Sequence, residues 1–340
     1  MKVLIMAGGT GGHIFPGIAL AQVFQAHNID VNWLGNKNSM EAKLVPQNNI
    51  PFYSITINAL RGKSIIQKLK FPFNLLKAIF QSQKIIKQIK PDLIISMGGY
   101  VAGPGGLAAK LSRIPLVIHE QNSIAGMTNK FLAKFATKTF TGFPDTLPHS
   151  IFVGNPVRAE IENIPAKTTN PSAKINLLII GGSRGAKIFN DIIPEAVKLL
   201  PQDIIPNIFH QTGENYSADY KNIPAETSEF INNMAEKYIW ADLIICRAGA
   251  LTLAEITNVG IPAILIPYPH AVDDHQTKNA EYLAKNNAAV LLPQAELNPE
   301  KLTELLKDLI VNSDKRLTMA KNSRALRKEK SAEKIVELLK

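Results

Sequence analysis

Val3-Leu4-Ile5-Met6-Ala7-Gly8-Gly9-Thr10-Gly11-Gly12-His13 opens the chain, and Leu177-Leu178-Ile179-Ile180-Gly181-Gly182-Ser183-Arg184-Gly185 repeats its design halfway along. Each passage begins with an unbroken apolar run, the pattern of a strand buried on both faces. Each then turns through glycines into a helical pattern. A parallel strand that ends in glycines at a helix N-terminus presents backbone N–H groups and lets a ligand approach the chain closely. One such unit per half predicts two α/β domains facing each other across a cleft, each holding one of two substrates.

Further strand-like runs fall at residues 2–6, 31–34, 93–96, 116–119 and 138–140, then at 176–180, 204–211, 243–246, 263–266 and 288–292. Helical stretches separate them, which predicts doubly wound, Rossmann-like parallel sheets. Such sheets bind ligands beyond the C-terminal ends of their strands. Gly98-Gly99, His119-Glu120-Gln121-Asn122 and Arg247-Ala248-Gly249-Ala250 each follow a run directly. The stretch Gly154-Asn155-Pro156-Val157-Arg158 marks a crossover. The expected domains are therefore 1–155 and 156–317, with a basic helical tail, about 318–340, folding back onto the first.

Bulk composition narrows the class. The chain has 340 residues and is 46% hydrophobic, and its mean hydropathy is +0.01. Those values suit a globular protein with two full cores. One cysteine, Cys246, excludes a disulfide framework and fits a reducing compartment. No apolar run reaches the roughly 18 residues of a membrane span. The short apolar start that ends in glycines is no signal peptide, so an intracellular protein is expected. Charge is uneven. Residues 1–150 carry 16 Lys and Arg against five acidic residues, a net +11, and the remainder 22 against 23, a net −1. From Ala42 to Pro91 there is no acidic residue, and lysines alternate there with Ile, Leu and Phe. Two readings fit that segment: a solvated basic helix packing its other face on the sheet, or a surface that attaches to an anionic bilayer. Nothing in the pattern supports nucleic-acid binding.

The glycine turns are not those of common nucleotide folds. After Gly9 and Gly11, Ile14 stands where a dinucleotide fingerprint has its third glycine. Leu34-Gly35-Asn36 stands where a ribose-binding acid would end the second strand. The Gly-Lys-Ser/Thr element of a phosphate-binding P-loop is missing. What remains is a set of backbone donors beside Thr10 and His13, suited to a diphosphate; the plain alternative is a tight turn with no ligand. His13 is a candidate general base, or else a structural histidine. Glu255, one turn into the helix that Ala248-Gly249-Ala250 opens, suits ribose hydroxyls, or else the positive end of that helix. Asp273, Asp274 and His275 are consecutive and cannot all converge on one ion, so no metal is expected. Gln276 offers a donor and an acceptor to a sugar. With no Asp-x-Asp pair in the chain, leaving-group charge falls to helix N-termini and cations such as Arg158.

Eight motifs then occur in order: GGTGGHIFPG at 8–17, GGYVAGPGG at 98–106, HEQNSIAG at 119–126, GNPVR at 154–158, GGSRGA at 181–186, HQTGE at 210–214, CRAGALTLAE at 246–255 and DDHQTKNA at 273–280. Together they resemble the lipid-linked muramoylpeptide N-acetylglucosaminyltransferases of glycosyltransferase family 28, which have the GT-B fold. The resemblance implies an inverting transfer of GlcNAc from UDP-GlcNAc to the muramoyl 4-hydroxyl of lipid I (undecaprenyl-diphospho-muramoylpeptide), giving lipid II and UDP in peptidoglycan synthesis. No cofactor is implied. It places Arg158 and Ser183 at the donor nucleotide and diphosphate, Phe230 and Ile231 beside uracil, and Ala250, Leu251 and Thr252 at the diphosphate and ribose end. It places Glu255 on the ribose and Gln276 at the GlcNAc hydroxyls, with Asn122 reaching across from the first domain, and Thr10, Gly11, Gly12 and His13 at the acceptor and donor-sugar face, with His13 the favoured base. Some relatives have Gln-Gln where this chain has His275-Gln276, which leaves the role of His275 open. A lipid acceptor also implies peripheral attachment to the anionic cytoplasmic face of the cell membrane, with the basic segment as the docking face. Three other readings stand beside this one: a UDP-sugar GT-B enzyme with another lipid acceptor, a UDP-GlcNAc 2-epimerase, and a non-enzymatic UDP-sugar sensor.

Overall fold

The structure, a computed structural model, describes residues 1–57, 70–166, 174–182 and 184–340. Ser183 and part of the basic segment, including Arg61, Lys63 and Lys68, lie outside the described residues. The chain divides into two units, Met1–Arg158 with Lys330–Lys340, and Ala159–Glu329.

The first unit is built on seven parallel strands: β1 (Lys2–Ala7), β2 (Asp30–Asn36), β3 (Phe52–Ile55), β4 (Leu93–Gly98), β5 (Leu116–Glu120), β6 (Lys138–Thr141) and β7 (Ile151–Phe152). Their order is β3-β2-β1-β4-β5-β6-β7. Strand β1 sits between β2 and β4, with Val3 opposite both Val31 and Leu93. Its side chains alternate between two cores. Val3, Ile5 and Ala7 join Phe24 of helix Gly11–Ala26 and Ile335 of helix Ser331–Leu339. Leu4 and Met6 join Ala78 of helix Phe71–Ile89, Ala108 of helix Ala102–Leu111 and Leu132 of helix Met127–Leu132. Both faces of the strand are covered, so its sequence shows no polar alternation.

The second unit repeats the plan with β8 (Asn176–Ile180), β9 (Asn207–Gln211), β10 (Ala225–Ser228), β11 (Leu243–Cys246), β12 (Ala263–Leu265) and β13 (Val290–Leu291). Their order, β10-β9-β8-β11-β12-β13, matches that of the first six strands of the first unit. In each unit the connections run one way from the first strand and then the other, so the switch points lie at β1/β4 and β8/β11. Ligand sites of doubly wound sheets form at such points. The glycine turns follow β1 and β8, Gly98 ends β4 with Gly99 next to it, and Arg247-Ala248-Gly249 follows β11.

Three strands were not expected from sequence: β3, β7 and β10. All are sheet edges. An edge strand has one neighbour and less cover, so Phe52-Tyr53-Ser54-Ile55 and Ala225-Glu226-Thr227-Ser228 carry no buried-strand signature. The expected run 204–211 starts late. Gln202–Ile204 is a 3-10 turn, and the strand begins at Asn207, after Pro206, which has no N–H to give a ladder. The first unit extends to Arg158 rather than ending at 155, so Arg158 belongs to it. The expected returning tail is also shorter. Helix Ser313–Ala325 stays in the second unit, packed on helix Ala250–Val259, and the chain breaks at Lys330 in the left-handed region. Only Ser331–Leu339 returns, with Ser331 Oγ donating to the Val153 carbonyl (2.9 Å).

The turns after β1 and β4 touch through glycine. Gly99 has φ +85°, and a Cβ there would fall on the Gly8 carbonyl. Gly126, with φ −65° before helix Met127–Leu132, has open space around it. Gly99→Ala is expected to destabilise the first unit by at least about 2 kcal/mol and Gly126→Ala by under about 1 kcal/mol. Urea unfolding of both variants measures this; equal losses would remove the close approach as the cause.

Candidate active site

In the first unit, Thr10 is the N-cap of helix Gly11–Ala26, and Gly11 and Gly12 form its first turn. The first N–H groups of an α-helix have no i−4 partner within it, and this helix begins just past the end of β1. Thr10 Oγ1 lies 3.5 Å from His13 Nδ1. The His13 ring rests against Gly98, where a Cβ would stand 3.1 Å from its Cδ2; Gly98 has φ +99°. Glycine at the end of β4 thus makes the seat for the histidine.

Glu41 was not foreseen. It is fully buried, and it accepts the N–H groups of Asn36 (3.1 Å) and Gly9 (3.5 Å), linking the end of β2 to the glycine turn.

The polar run that ends β5 and follows it mostly satisfies buried neighbours. His119 Nε2 donates to the Gly154 carbonyl (2.9 Å), and Gln121 Nε2 donates to His119 Nδ1 (3.0 Å). Asn155 Nδ2 donates to the Gln121 carbonyl (3.0 Å). The Glu120 carboxylate accepts the N–H of Asn122, its Nδ2, the N–H of Gly126, and Asn129 Nδ2. Of the four residues only Asn122 is half-buried rather than buried, and Glu120 fixes its side chain. Arg158 stands with its guanidinium 5.7 Å over the Phe15 ring.

In the second unit, Ala250, Leu251, Thr252 and Glu255 share one helix, Ala250–Val259, which Gly249 caps at the end of β11. Glu255 is buried, and Tyr238 Oη donates to its Oε2 (2.9 Å). Phe230 is 54% exposed and Ile231 is buried, both just past β10. Gln276, in the first turn of helix His275–Lys285, accepts the Tyr268 N–H through Oε1 (2.9 Å). His275 Nδ1 donates to the Val272 carbonyl (2.6 Å).

Tyr238, Arg247 and Asn279 had no assigned role in the sequence reading. Arg247 lies between the rings of Phe189 (4.7 Å) and Tyr268 (5.5 Å) and donates to the carbonyls of Ile266 (3.1 Å) and Pro267 (3.0 Å). Burial lowers its pKa to about 10, so it stays cationic at neutral pH. Asn279 Nδ2 donates to the Ala248 carbonyl (3.2 Å). These contacts tie the loops after β11 and β12 together and orient Gln276. Arg247 carries one sequence signal, its place directly after the buried strand β11; Tyr238, on the helix ahead of that strand, and Asn279, inside helix His275–Lys285, carry none. Among the described residues, no group of three or more His, Cys, Asp or Glu side chains is placed to hold a metal ion.

Two α/β units of this strand order, each with a glycine turn at its switch point, make up the GT-B fold class. The N-terminal domain of glycosyltransferase family 28 matches residues 3–141, and its C-terminal domain matches residues 176–339. The UDP-N-acetylglucosamine–N-acetylmuramyl-(pentapeptide) pyrophosphoryl-undecaprenol N-acetylglucosamine transferase of Pseudomonas syringae pv. tomato is 45% identical over 346 residues, covering 99% of this chain and 97% of the relative. The crystal structure of Acinetobacter baumannii MurG superposes with a TM-score of 0.83 at 39% identity, covering 99% of this chain and 98% of that one. The glycosyltransferase of kitacinnamycin, at 15% identity and a TM-score of 0.75, shares the fold. The chain belongs to glycosyltransferase family 28.

Two buried histidines make the molecule sensitive to acid. Burial lowers His119 to a pKa of about 4, against the pull of the Gly154 carbonyl and Glu120. Burial likewise lowers His210, whose Nδ1 is 2.9 Å from Tyr220 Oη, to about 4. Both are neutral when folded. The unfolded chain takes up their protons near pH 6.5, so their contribution is complete above that pH and is lost as pH falls toward 4. Lowering the pH from 7 to 5 is expected to cost about 2 kcal/mol per histidine relative to His119→Gln and His210→Gln variants. Urea titrations at the two pH values test it, and identical pH slopes in wild type and variants would contradict it.

Proposed function

We propose that this chain transfers GlcNAc from UDP-GlcNAc to the muramoyl 4-hydroxyl of lipid I, releasing UDP and lipid II for peptidoglycan synthesis. The observation that carries this reading is end-to-end: 45% identity to a transferase of that name across 97% of its length. The second unit takes the donor. Helix Ala250–Val259 directs its N-terminus at the diphosphate, Glu255 meets the ribose, Phe230 and Ile231 flank uracil, and Gln276 meets the sugar. Ser183 and Arg158 supply further diphosphate contacts. The Gln276 amide is oriented by the Tyr268 N–H on its oxygen, so its NH2 is the part offered to the sugar.

In the first unit, Thr10, Gly11 and Gly12 hold the acceptor, Asn122 reaches the donor sugar, and His13 acts as base. The acceptor oxygen attacks the anomeric carbon as the bond from that carbon to the UDP oxygen breaks. The hydroxyl proton passes to His13, the electron pair leaves with UDP, and the anomeric configuration inverts. Helix N-termini and cations balance the charge growing on UDP.

The membrane side of the reading rests on helix Phe71–Ile89. Ala78, Ser82, Ile86 and Ile89 pack inward. Phe73, Lys77, Phe80, Lys84 and Lys87, at steps of four and three, share the outer face, and Phe73 and Phe80 are 77% and 68% exposed. Met127 and Phe131 are exposed on helix Met127–Leu132, which flanks the same helix, Ala102–Leu111. Among the described residues no helix is long and apolar enough to cross a membrane. Burying a phenylalanine contributes about 2 kcal/mol, and a lysine near an anionic surface about 1 kcal/mol. Together they favour a peripheral hold on the cytoplasmic leaflet, where a lipid-linked acceptor is found.

UDP release from UDP-GlcNAc is expected only when a lipid I analogue is present; release without acceptor, or none with it, refutes the assignment. His13→Ala is expected to lower kcat by about 10²–10⁴-fold with UDP affinity little changed, and a near-normal kcat would move the proton elsewhere. The intact chain is expected to float with phosphatidylglycerol vesicles and Phe73→Asp/Phe80→Asp to remain in the soluble fraction. Equal flotation of both proteins would remove this face from the membrane.

A further inference from the structure

The HQTGE motif at 210–214 has no role in the reaction as described so far, yet its second residue holds two loops of the donor half. Gln211 is the last residue of β9, which lies between β8 and β10, and it is 4% exposed. Its Oε1 accepts the N–H of Gly181, the first residue after β8 (3.3 Å). Its Nε2 donates to the carbonyl of Glu229, directly before Phe230 (3.0 Å). The amide can point only one way, because a backbone N–H only donates and a carbonyl only accepts.

The next residue ties the same two loops through its backbone. The Thr212 N–H donates to the Ser228 carbonyl (2.9 Å), and the Thr212 carbonyl accepts Asn190 Nδ2 (3.1 Å). Gly185, with φ +70°, is pressed against that carbonyl so closely that a Cβ would overlap it. The strand end therefore spans from the glycine turn after β8 to the loop after β10.

We propose that Gln211 is a positioning residue for the donor: one amide sets the spacing between the loop at the diphosphate and the loop at uracil. This rests on the donor placement given above. Uracil and diphosphate are joined covalently, so both loops bind at full strength only when their separation matches that of the nucleotide. Removing the amide leaves the chemistry intact, loosens the spacing, and deprives the part-buried Gly181 N–H and Glu229 carbonyl of this partner. Gln211 touches neither nucleotide nor sugar in this account.

Two variants remove the amide's pairing in different ways. Gln211→Met keeps the volume and removes both hydrogen bonds. Gln211→Glu keeps the acceptor for Gly181 and sets a carboxylate against the Glu229 carbonyl. Calorimetry with UDP and with uridine, and turnover of UDP-GlcNAc with a lipid I analogue, give the readouts. In both variants the UDP Kd and the donor KM are expected to rise about 10-fold. At saturating donor, kcat is expected to stay within about twofold of wild type. Of the two loops that Gln211 joins, uridine reaches only the one at uracil, so its affinity should fall less than that of UDP. Unchanged UDP affinity in both variants overturns the proposal, and so does an equal loss for uridine and UDP, which marks general loosening. A kcat loss at saturating donor without a KM change also overturns it. If Gln211→Met fails to fold, Gln211→Glu carries the test. The calorimetry needs no acceptor. A wild type that binds UDP but releases none with the lipid I analogue refutes the transferase reading and leaves the Gln211 comparison standing, whereas a wild type that binds no UDP overturns both.

Discussion

At the C-terminal edge of each sheet, two stretches of backbone meet with no room for a Cβ. Gly99 lies against the Gly8 carbonyl in the first unit, and Gly185 lies against the Thr212 carbonyl in the second. Both glycines have positive φ, a region that other residues enter only at a cost. These contacts draw the turn after β1 toward the turn after β4, and the turn after β8 toward the end of β9. They also leave the following helices with their N-termini at the switch points, where backbone N–H groups accumulate. Widening either contact by one methyl group would separate the loops that carry Thr10, His13 and Gly181.

The buried polar side chains act mainly on that loop framework. Glu120 accepts four donors and in doing so fixes Asn122 and the start of helix Met127–Leu132. Glu41 braces the first glycine turn from below. Arg247, between two aromatic rings, holds the loop on which Gln276 is seated. Buried polar groups take hydrogen-bond partners, and here many of those partners are backbone atoms of the loops themselves. The chemistry-bearing residues therefore stand on supports that lie deeper in the protein.

Legibility in the sequence followed burial. Interior strands such as β1, β8 and β11 are covered on both faces and read as unbroken apolar runs. The edges β3, β7 and β10 lacked that signature and were found only in the structure. The tail read as one basic helix because nothing in its sequence announces a stop; the helix ends at Ala325, Lys330 turns in the left-handed region, and Ser331 docks on Val153. His119, Glu120 and Gln121 stood between two readings, cleft-facing or structural. Their partners decide for the structural one: Gly154 is 35 positions from His119 and Asn155 is 34 from Gln121, while Asn129, nine from Glu120, is brought to it by helix Met127–Leu132.

What the sequence determined alone is what short-range pattern can encode: two parallel α/β units, glycine turns at the strand ends, and eight ordered motifs that point to the family. What only the tertiary structure decided is which partner each polar atom takes. Tyr238 reaches Glu255 across 17 positions, Gln211 reaches Gly181 across 30, and Ser331 reaches Val153 across 178. Those pairings depend on strand order and helix placement, which set separations in space that the linear chain does not record.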